Sequence, residues 1–213
     1  MKLLTFKKAL QASEVYRKRH VLLGNGFSIA CRPDIFVYSK LFEQADFSTL
    51  SSSAKDAFTA LNTMDFERVI RALNDSAALA PKYGVSAKKA AQMRDDAKRL
   101  KELLVQTIAK SHPERPSDIE DDEYAHCQSF LENFSTIYTL NYDLLLYWTQ
   151  MHHDDDSKRT SDDGFRTSQD DIESGHESDY VVWEPGQSHE QNTWFLHGAL
   201  HVFDSGIEIQ KYT

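Results

Sequence analysis

Three short polar clusters in the sequence contain residue types that can hold a nucleotide and move a proton. They are residues 24–28 (Gly-Asn-Gly-Phe-Ser), 141–143 (Asn-Tyr-Asp) and 197–198 (His-Gly), and each follows an apolar run. Glycines let a backbone approach a phosphate, a histidine titrates near neutral pH, and an amide can orient a ligand without charge. Ligands of open α/β sheets bind at the carboxyl ends of the strands. We therefore expect the three clusters to meet in one site.

The first cluster is the centre of this hypothesis. Residues 20–30 (His-Val-Leu-Leu-Gly-Asn-Gly-Phe-Ser-Ile-Ala) predict a buried strand, a Gly-x-Gly turn and a helix. In that arrangement the helix N-terminus and its free N–H groups favour a negatively charged phosphate. The same pattern also occurs as a plain tight turn, so this alternative stays open.

The other two clusters also have structural alternatives. Asn141 and Asp143 are residue types that cap helices, and a helix is predicted directly after them. His197 is compatible with a turn histidine whose hydrogen bonds are satisfied within the protein. The occurrence of all three clusters after predicted strands favours a functional interpretation.

Composition excludes several classes of protein. The 213 residues carry a net charge of −9 and are 40% hydrophobic, which predicts a globular core and argues against direct nucleic-acid binding. The two cysteines, Cys31 and Cys127, are far apart and predict neither a disulfide framework nor a zinc ribbon. Without a signal peptide or an apolar run of about 18 residues, we expect a cytoplasmic protein with no membrane association.

Helices and strands in the first half are predicted from periodicity and capping signals. We expect a helix at 5–19, a strand at 21–23, and short helices from Phe27 and Pro33. The region from 51 to 133 is helical in pattern, and its predicted N-terminal signals are Ser53, Asp65, Ser86 and a capping box at 117–120. This region predicts a large helical insertion, near 48–133, in an α/β core.

The second half predicts a return to the sheet. Residues 135–140 are β-branched and aromatic, and a helix is expected at 144–150. Residues 152–179 are acidic and poor in apolar side chains, so we predict a mobile loop there, with a metal site at its His-Asp run as the weaker alternative. Further strands are predicted at 180–183 and 193–196, separated by a Pro-Gly turn, followed by hairpin-like strands at 200–203 and 207–210.

The three clusters carry a resemblance to a known group of proteins. Residues 24–28 resemble the Gly-Ala-Gly-x-Ser phosphate loop of the sirtuin-like NAD-binding superfamily, 139–143 its Thr-x-Asn-x-Asp motif and 196–198 its catalytic His-Gly. The local sequence around these motifs is most similar to the bacterial family called domain of unknown function 4917. It is also similar to phage abortive-infection proteins that share Gly-Asn-Gly-Phe. The resemblance covers residues 20 to about 204. It implies one Rossmann-like α/β domain over residues 1–213, with a parallel sheet core.

The resemblance implies that NAD, or a related nucleotide, is bound as a substrate. Gly24, Gly26 and Ser28 would contact the NAD phosphates and the adjoining ribose. The cofactor-binding set implied by the same motifs also includes Asn25, Phe27 and Gly198. These contacts would use mainly backbone N–H groups, so the acidic surface does not oppose them.

The resemblance also implies a catalytic set of three residues. Asn141 would position the nicotinamide ribose or the attacking water, Asp143 would hold Asn141 or the ribose, and His197 would be the general base. Nicotinamide leaves as a neutral molecule, so no general acid is needed on the leaving group. The site must support an oxocarbenium-like centre and deliver a deprotonated oxygen to it.

Two departures from the sirtuin pattern limit this expectation. Deacylating sirtuins carry a four-cysteine zinc module, which two distant cysteines cannot build, so we expect no zinc and favour NAD hydrolysis over deacylation. The sequence also ends at Thr213, 16 residues after His197, where the superfamily fold continues with more strands. We therefore expect a fragment or a truncated homologue whose sheet and pocket are incomplete.

The leading hypothesis is an NAD glycohydrolase that releases ADP-ribose and nicotinamide, serving bacterial anti-phage defence as the resembling families do. One alternative is a non-catalytic nucleotide-binding or interaction module left by truncation. A third hypothesis is a nuclease-associated or toxin-like partner domain that acts only in an assembly. A homo-oligomer or a defence-system partner protein is expected from the resemblance.

Overall fold

The computed structural model describes four stretches of the chain: residues 3–152, 160–175, 177–184 and 190–212. Within them the protein is a mixed α/β fold that contains a three-stranded parallel sheet. The chain divides into two compact units, one formed by Met1–Cys31 with Pro113–Thr213, the other by Arg32–His112.

The α-helices and strands of the described residues are, in chain order, α1 (Phe6–Ala12), β1 (His20–Leu23), α2 (Asn25–Cys31), α3 (Pro33–Phe36), α4 (Tyr38–Gln44), α5 (Ser52–Ala60), α6 (Phe66–Leu79), α7 (Ala87–Ser111), α8 (Asp121–Leu131), β2 (Thr136–Thr139), α9 (Leu145–Met151), β3 (Phe165–Arg166), α10 (Gln169–Ser174), β4 (Tyr180–Trp183), β5 (Thr193–Phe195), β6 (Val202–Asp204) and β7 (Ile209–Tyr212).

The parallel sheet has the strand order β1-β2-β5. Its register pairs Leu23 with Thr139 and Thr139 with Phe195, so the carboxyl ends of all three strands lie at one edge. The predicted strands at 21–23, 135–140 and 193–196 are thus confirmed, each with slightly different ends. The apolar core at this sheet contains the buried side chains Leu23, Leu131, Ile137 and Leu146.

A second sheet is antiparallel and has the order β3-β4-β7-β6. Its β6 and β7 pair as neighbours, which confirms the hairpin-like pair predicted at 200–203 and 207–210. Strand β4 pairs with β7 and not with β5, so the strands predicted at 180–183 and 193–196 belong to different sheets. The Pro-Gly turn between them lies outside the described residues.

The described part of the acidic segment at 152–179 contains regular secondary structure. Strand β3 and helix α10 both lie inside it, where the composition predicts a mobile loop. Ser168 caps α10 by accepting a hydrogen bond from Asp171 N, and Gly175 ends it in a left-handed conformation with φ 68°. Residues 153–159, which include most of the His-Asp run at 152–156, lie outside the described residues.

The unit Arg32–His112 is helical and contains α3 to α7. Helix α7 buries an apolar stripe that includes Ala90, Ala97, Leu100, Leu104 and Ile108. Charged side chains on its other face form exposed i,i+4 pairs such as Asp95–Arg99, as expected for a solvated surface. The compact helical unit thus ends before α8, which belongs with the parallel sheet.

Helix ends were the least predictable feature of the sequence. Asp65 and Ser86 cap α6 and α7 as predicted. The predicted cap at Ser53 is wrong, because Ser51 accepts from Ala54 N while donating to the buried Asp96. The capping box predicted at 117–120 is also wrong, since Glu120 and Glu123 form it at α8.

The first helix is shorter than predicted. Periodicity over residues 5–19 predicts one long helix, but α1 ends at Ala12. Ser13 then hydrogen-bonds the last carbonyls through both its backbone N–H and its hydroxyl, which terminates the helix. Within the described stretches, no helix combines the length and the apolar character needed to cross a bilayer.

Candidate functional site

The glycine turn after β1 is tighter than the sequence predicts. Helix α2 begins at Asn25 rather than near Phe27, so only Gly24 separates it from the strand. The first turn closes with a 3.0 Å hydrogen bond from Phe27 N to Gly24 O. Gly26 therefore lies within the first turn of the helix.

Gly24 and Gly26 are not required by backbone conformation or by internal packing. Neither has the left-handed backbone that favours glycine, and a Cβ built at either position would meet no other described atom within 4 Å. Both residues are exposed. The space beside this backbone is therefore open for a ligand to approach.

Three of the predicted polar side chains form one hydrogen-bonded cluster, which we call the Ser-Asn-Asp network (Ser28, Asn141 and Asp143). Asn141 Nδ2 donates to Ser28 Oγ over 2.7 Å, and Ser28 Oγ donates to Asp143 Oδ2 over 2.5 Å. Ser28 is fully buried, Asp143 is 4% exposed and Asn141 is 8% exposed. Residues more than 110 positions apart are thus brought together, as the sequence predicts.

The network is positioned by the parallel pairing of β1 and β2. Leu140 N donates to Leu23 O over 3.0 Å, so the residues that follow the two strands leave the sheet side by side. The Asn141 backbone N–H donates to Thr139 Oγ1 over 3.0 Å, and Asp143 Oδ1 accepts from Leu145 N over 3.0 Å. Asp143 therefore binds the first N–H of α9 as well as the network, although the N-cap position itself is Leu144 and has no side-chain cap hydrogen bond.

His197 lies one strand further along the same edge. Strand β5 pairs with β2, and Leu196 N donates to Thr139 O over 2.9 Å. The His197 ring is exposed, and its Nδ1 lies 3.5 Å from the Tyr142 hydroxyl. Gly198 follows with φ 78°, and Leu200 N donates to Tyr142 O over 2.8 Å. The described contacts of His197 are therefore with Tyr142, the residue between the two polar members of 141–143.

The other two residues of the predicted binding set are on α2. Phe27 is half-buried and packs against the sheet core, with its ring centroid 6.4 Å from that of Phe130. Asn25 is half-buried at the first position of the helix. Phe27 thus has a packing role that the motif alone did not predict.

An open cavity of about 620 Å³ borders the glycine turn. This volume is in the range of small-molecule sites. Its lining includes Gly24, Gly26 and Phe27 from the predicted binding set, but not Asn141, Asp143 or His197. The rest of its wall comes from β1, α2 and α8. The glycine turn is therefore the part of the predicted site that this cavity reaches.

Sequence reasoning missed a pair of thiols in the same cavity. Cys31, the last residue of α2, and Cys127, in α8, have their Sγ atoms 2.8 Å apart, and both are free cysteines. They are 96 positions apart, and nothing in their spacing predicts contact. The mutual hydrogen bond, followed by burial, raises the pKa of Cys31, whereas the same hydrogen bond lowers the pKa of Cys127.

Sequence reasoning also missed the second histidine after β5. His201 is 7% exposed, and neither ring nitrogen has a hydrogen-bond partner among the residues that the structure describes. Its ring lies 4.4 Å from that of Tyr147 and 5.3 Å from that of Phe195, measured between centroids. Burial, followed by the positive charge of Lys211, lowers the pKa of His201 to about 4. His201 is therefore a neutral core residue at pH 7.

Fold and site together define a mixed α/β protein with a polar cluster at the carboxyl edge of a parallel sheet. The model of a family described as a domain of unknown function (DUF4917) matches residues 21–213, and the chain belongs to this family. No curated protein and no solved structure matches the chain.

Proposed function

We propose that this protein binds NAD at the carboxyl edge of its parallel sheet and hydrolyses it to ADP-ribose and nicotinamide. The observation that carries the proposal is the Ser-Asn-Asp network, assembled beside the glycine turn and one strand from an exposed histidine. In open α/β folds, ligands bind at this edge of the sheet, where polar residues follow the strands. The strand order β1-β2-β5 and the order of the three motifs support a Rossmann-like, sirtuin-like fold as part of the same proposal.

The phosphates of NAD are proposed to lie against the glycine turn. Gly24 and Gly26 leave open space beside the backbone, and neither glycine is explained by packing or by a left-handed conformation. A methyl group there would occupy the volume that a close phosphate needs. Backbone N–H groups would then provide the binding without a cationic side chain.

Ser28 and Asp143 act through Asn141 in this proposal. In this conformation the Ser28 hydroxyl is fully buried and bonded to both partners, so it positions the amide rather than reaching a ligand. Asn141 is the most exposed of the three, and its bond to Ser28 uses one of its two Nδ2 hydrogens. The remaining amide groups would orient the ribose or the attacking water. A direct contact of Ser28 with NAD stays a prediction.

His197 is proposed as the general base. Its ring is exposed to the water that must be activated, and it follows the strand next to Asn141. An imidazole titrates in the range where it can accept a proton at neutral pH. Because nicotinamide departs as a neutral molecule, the site needs a base but no general acid.

The biological setting comes from the resemblance alone. NAD depletion during phage infection, in an oligomer or with a defence-system partner, is the role that the resembling families suggest. It stays a proposal for this chain.

One alternative has a specific observation in its favour. The three side chains of the Ser-Asn-Asp network hydrogen-bond to one another, and the described contacts of His197 are with Tyr142 rather than with the network. A network that positions its own members and a separate histidine are compatible with a nucleotide-binding module that performs no chemistry. This alternative predicts binding without turnover.

The test is to mix the purified protein with NAD and to follow nicotinamide and ADP-ribose by chromatography, with NAD binding measured separately by calorimetry. We expect turnover by the wild type and a loss of about 100-fold or more in kcat for Asn141→Ala, whose fold is checked by circular dichroism. Binding without turnover would favour the non-catalytic module. If the protein neither binds NAD nor turns it over, both proposals are contradicted.

A further inference from the structure

The two cysteines of the chain are neighbours in space. Cys31 Sγ and Cys127 Sγ lie 2.8 Å apart, which is less than 1 Å longer than a disulfide bond of about 2.05 Å. The sequence contains two cysteines in total, so this pair accounts for all its thiols. A small approach of α2 toward α8 would close a bond between them.

The two thiols of the pair differ in the direction of their pKa shifts. The hydrogen bond between them raises the pKa of Cys31 and lowers the pKa of Cys127. Glu123, one turn before Cys127 on α8, acts against a thiolate because its negative charge raises the pKa of both thiols. These directions favour Cys127 as the attacking thiol and Cys31 as the thiol that resolves an intermediate.

Both sulfurs can be reached by a small reagent. Cys31 and Cys127 line the open cavity of about 620 Å³, together with apolar side chains and the polar residues Glu123 and His126. Among the described residues, no group of three or more histidine, cysteine or acidic side chains is placed to hold a metal ion. An exchange reaction of the thiols, rather than metal ligation, is the chemistry that this arrangement supports.

We propose that Cys31 and Cys127 form a redox-active dithiol that closes reversibly into an intramolecular disulfide by exchange with a low-molecular-weight disulfide. The Cys127 thiolate attacks one sulfur of the reagent, which forms a mixed disulfide and releases one thiolate. Cys31 then loses its proton and attacks Cys127 Sγ, which releases the second reagent thiolate. From the dithiol to the disulfide the protein loses two electrons and two protons, the first proton when Cys127 ionises and the second from Cys31. The two released reagent thiolates take up these protons, and the reagent disulfide becomes two thiols. The bond joins the end of α2 to α8, and it does not depend on the proposed NAD chemistry.

The test is equilibration of the purified protein in buffers with increasing ratios of oxidised to reduced glutathione, followed by acid quenching, alkylation and peptide mass spectrometry. We expect one oxidised species, in which the peptide with Cys31 is linked to the peptide with Cys127, and full recovery of both thiols on reduction. Stable glutathione adducts on the wild-type protein, dimers linked between chains, or thiols that stay reduced throughout would overturn the proposal.

Single variants test the order of the steps. In Cys31→Ser we expect the glutathione adduct to accumulate on Cys127, because the resolving thiol is missing. In brief alkylation of the wild type we expect Cys127 to be modified before Cys31, and faster in Glu123→Gln, which removes a nearby negative charge. Circular dichroism checks that each variant is folded. Modification of Cys31 first, or no adduct in folded Cys31→Ser, would contradict the assigned roles.

Discussion

Ser28 and Cys31 lie about one turn apart on α2, and their surroundings differ. Ser28 is fully buried between Asn141 and Asp143, which both follow strand β2 of the parallel sheet. Cys31 borders an open cavity and faces Cys127. The buried network holds side chains in place, because breaking one of its bonds leaves a buried polar group unpaired. Neighbouring positions of one seven-residue helix thus contribute to a positioning network and to a reactive pair in a cavity wall.

The largest expected effect is at the pair Cys31 and Cys127. Oxidation of the thiol pair closes a loop between residues 96 positions apart, and the chain-entropy model gives a stabilisation of about 4–5 kcal/mol. Urea unfolding of the oxidised and reduced protein measures it, and Cys31→Ser with Cys127→Ser is the matched control that should not respond to oxidant. An oxidised form no more stable than the reduced one would show that the bond strains α2 or α8.

In the Ser-Asn-Asp network, Asp143→Ala is expected to cost about 3–4 kcal/mol of unfolding free energy. The change leaves the Ser28 hydroxyl and the Leu145 N–H without their acceptor in a buried environment. Asp143→Asn retains an acceptor oxygen and should cost clearly less. Chemical denaturation of both variants measures the difference. Equal small losses would mean that the network contributes little to stability.

His201 differs from both the network and the thiol pair, because it is buried and none of the described residues hydrogen-bonds to its ring. Its pKa is lowered to about 4 from the usual 6.5, so the folded state favours the neutral ring and the unfolded chain binds the proton first. The stability from the neutral ring is fully present above about pH 6.5 and is lost as the pH falls toward 4. Lys211 strengthens the shift and Asp163 opposes it.

We expect His201→Phe to remove about 2–3 kcal/mol of this pH dependence, since phenylalanine fits beside Tyr147 and Phe195 and does not titrate in this range. Unfolding free energies of the variant and the wild type between pH 4 and 7 give the comparison. Parallel curves for the two proteins would assign the acid sensitivity to other groups.

The smallest expected effect on stability is at the glycine turn. Gly26→Ala places a good helix former in the first turn of α2, where a Cβ meets open space, and should stabilise the fold by about 0.5–1 kcal/mol. If a phosphate approaches this backbone, the same methyl group weakens NAD binding. Thermal unfolding and calorimetric titration together separate the two effects. A variant that gains stability and binds NAD as tightly as the wild type would exclude the phosphate from this turn.

Sequence patterns predicted the network better than its surroundings. Apolar runs located β1, β2 and β5, and the shared edge of parallel strands then brought Ser28, Asn141 and Asp143 together without further information. The burial of Ser28 was not predictable, because it depends on how closely α2 packs behind Gly24. Because α2 begins early, at Asn25, the Ser28 side chain is directed toward Asn141 and Asp143.

The features that sequence reasoning missed depend on long-range packing. The contact between Cys31 and Cys127 requires α2 and α8 to meet, and no local spacing encodes it. His201 is buried because strands β5 and β7 and helix α9 bring Phe195, Lys211 and Tyr147 around it. None of the described residues hydrogen-bonds to its ring. The strand β3 in the acidic segment was missed because its own residues have no hydrophobic pattern that predicts a strand. It forms by pairing with β4.

The most direct test of the proposed catalysis compares the two histidines that follow β5. His197 is exposed at the sheet edge, whereas His201 is buried and neutral four positions later. We predict that His197→Ala lowers the kcat of nicotinamide release by about 100-fold or more while NAD still binds, and that His201→Phe retains kcat within about threefold at pH 7. Wild-type turnover that survives in folded His197→Ala would contradict the assignment of His197 as the base.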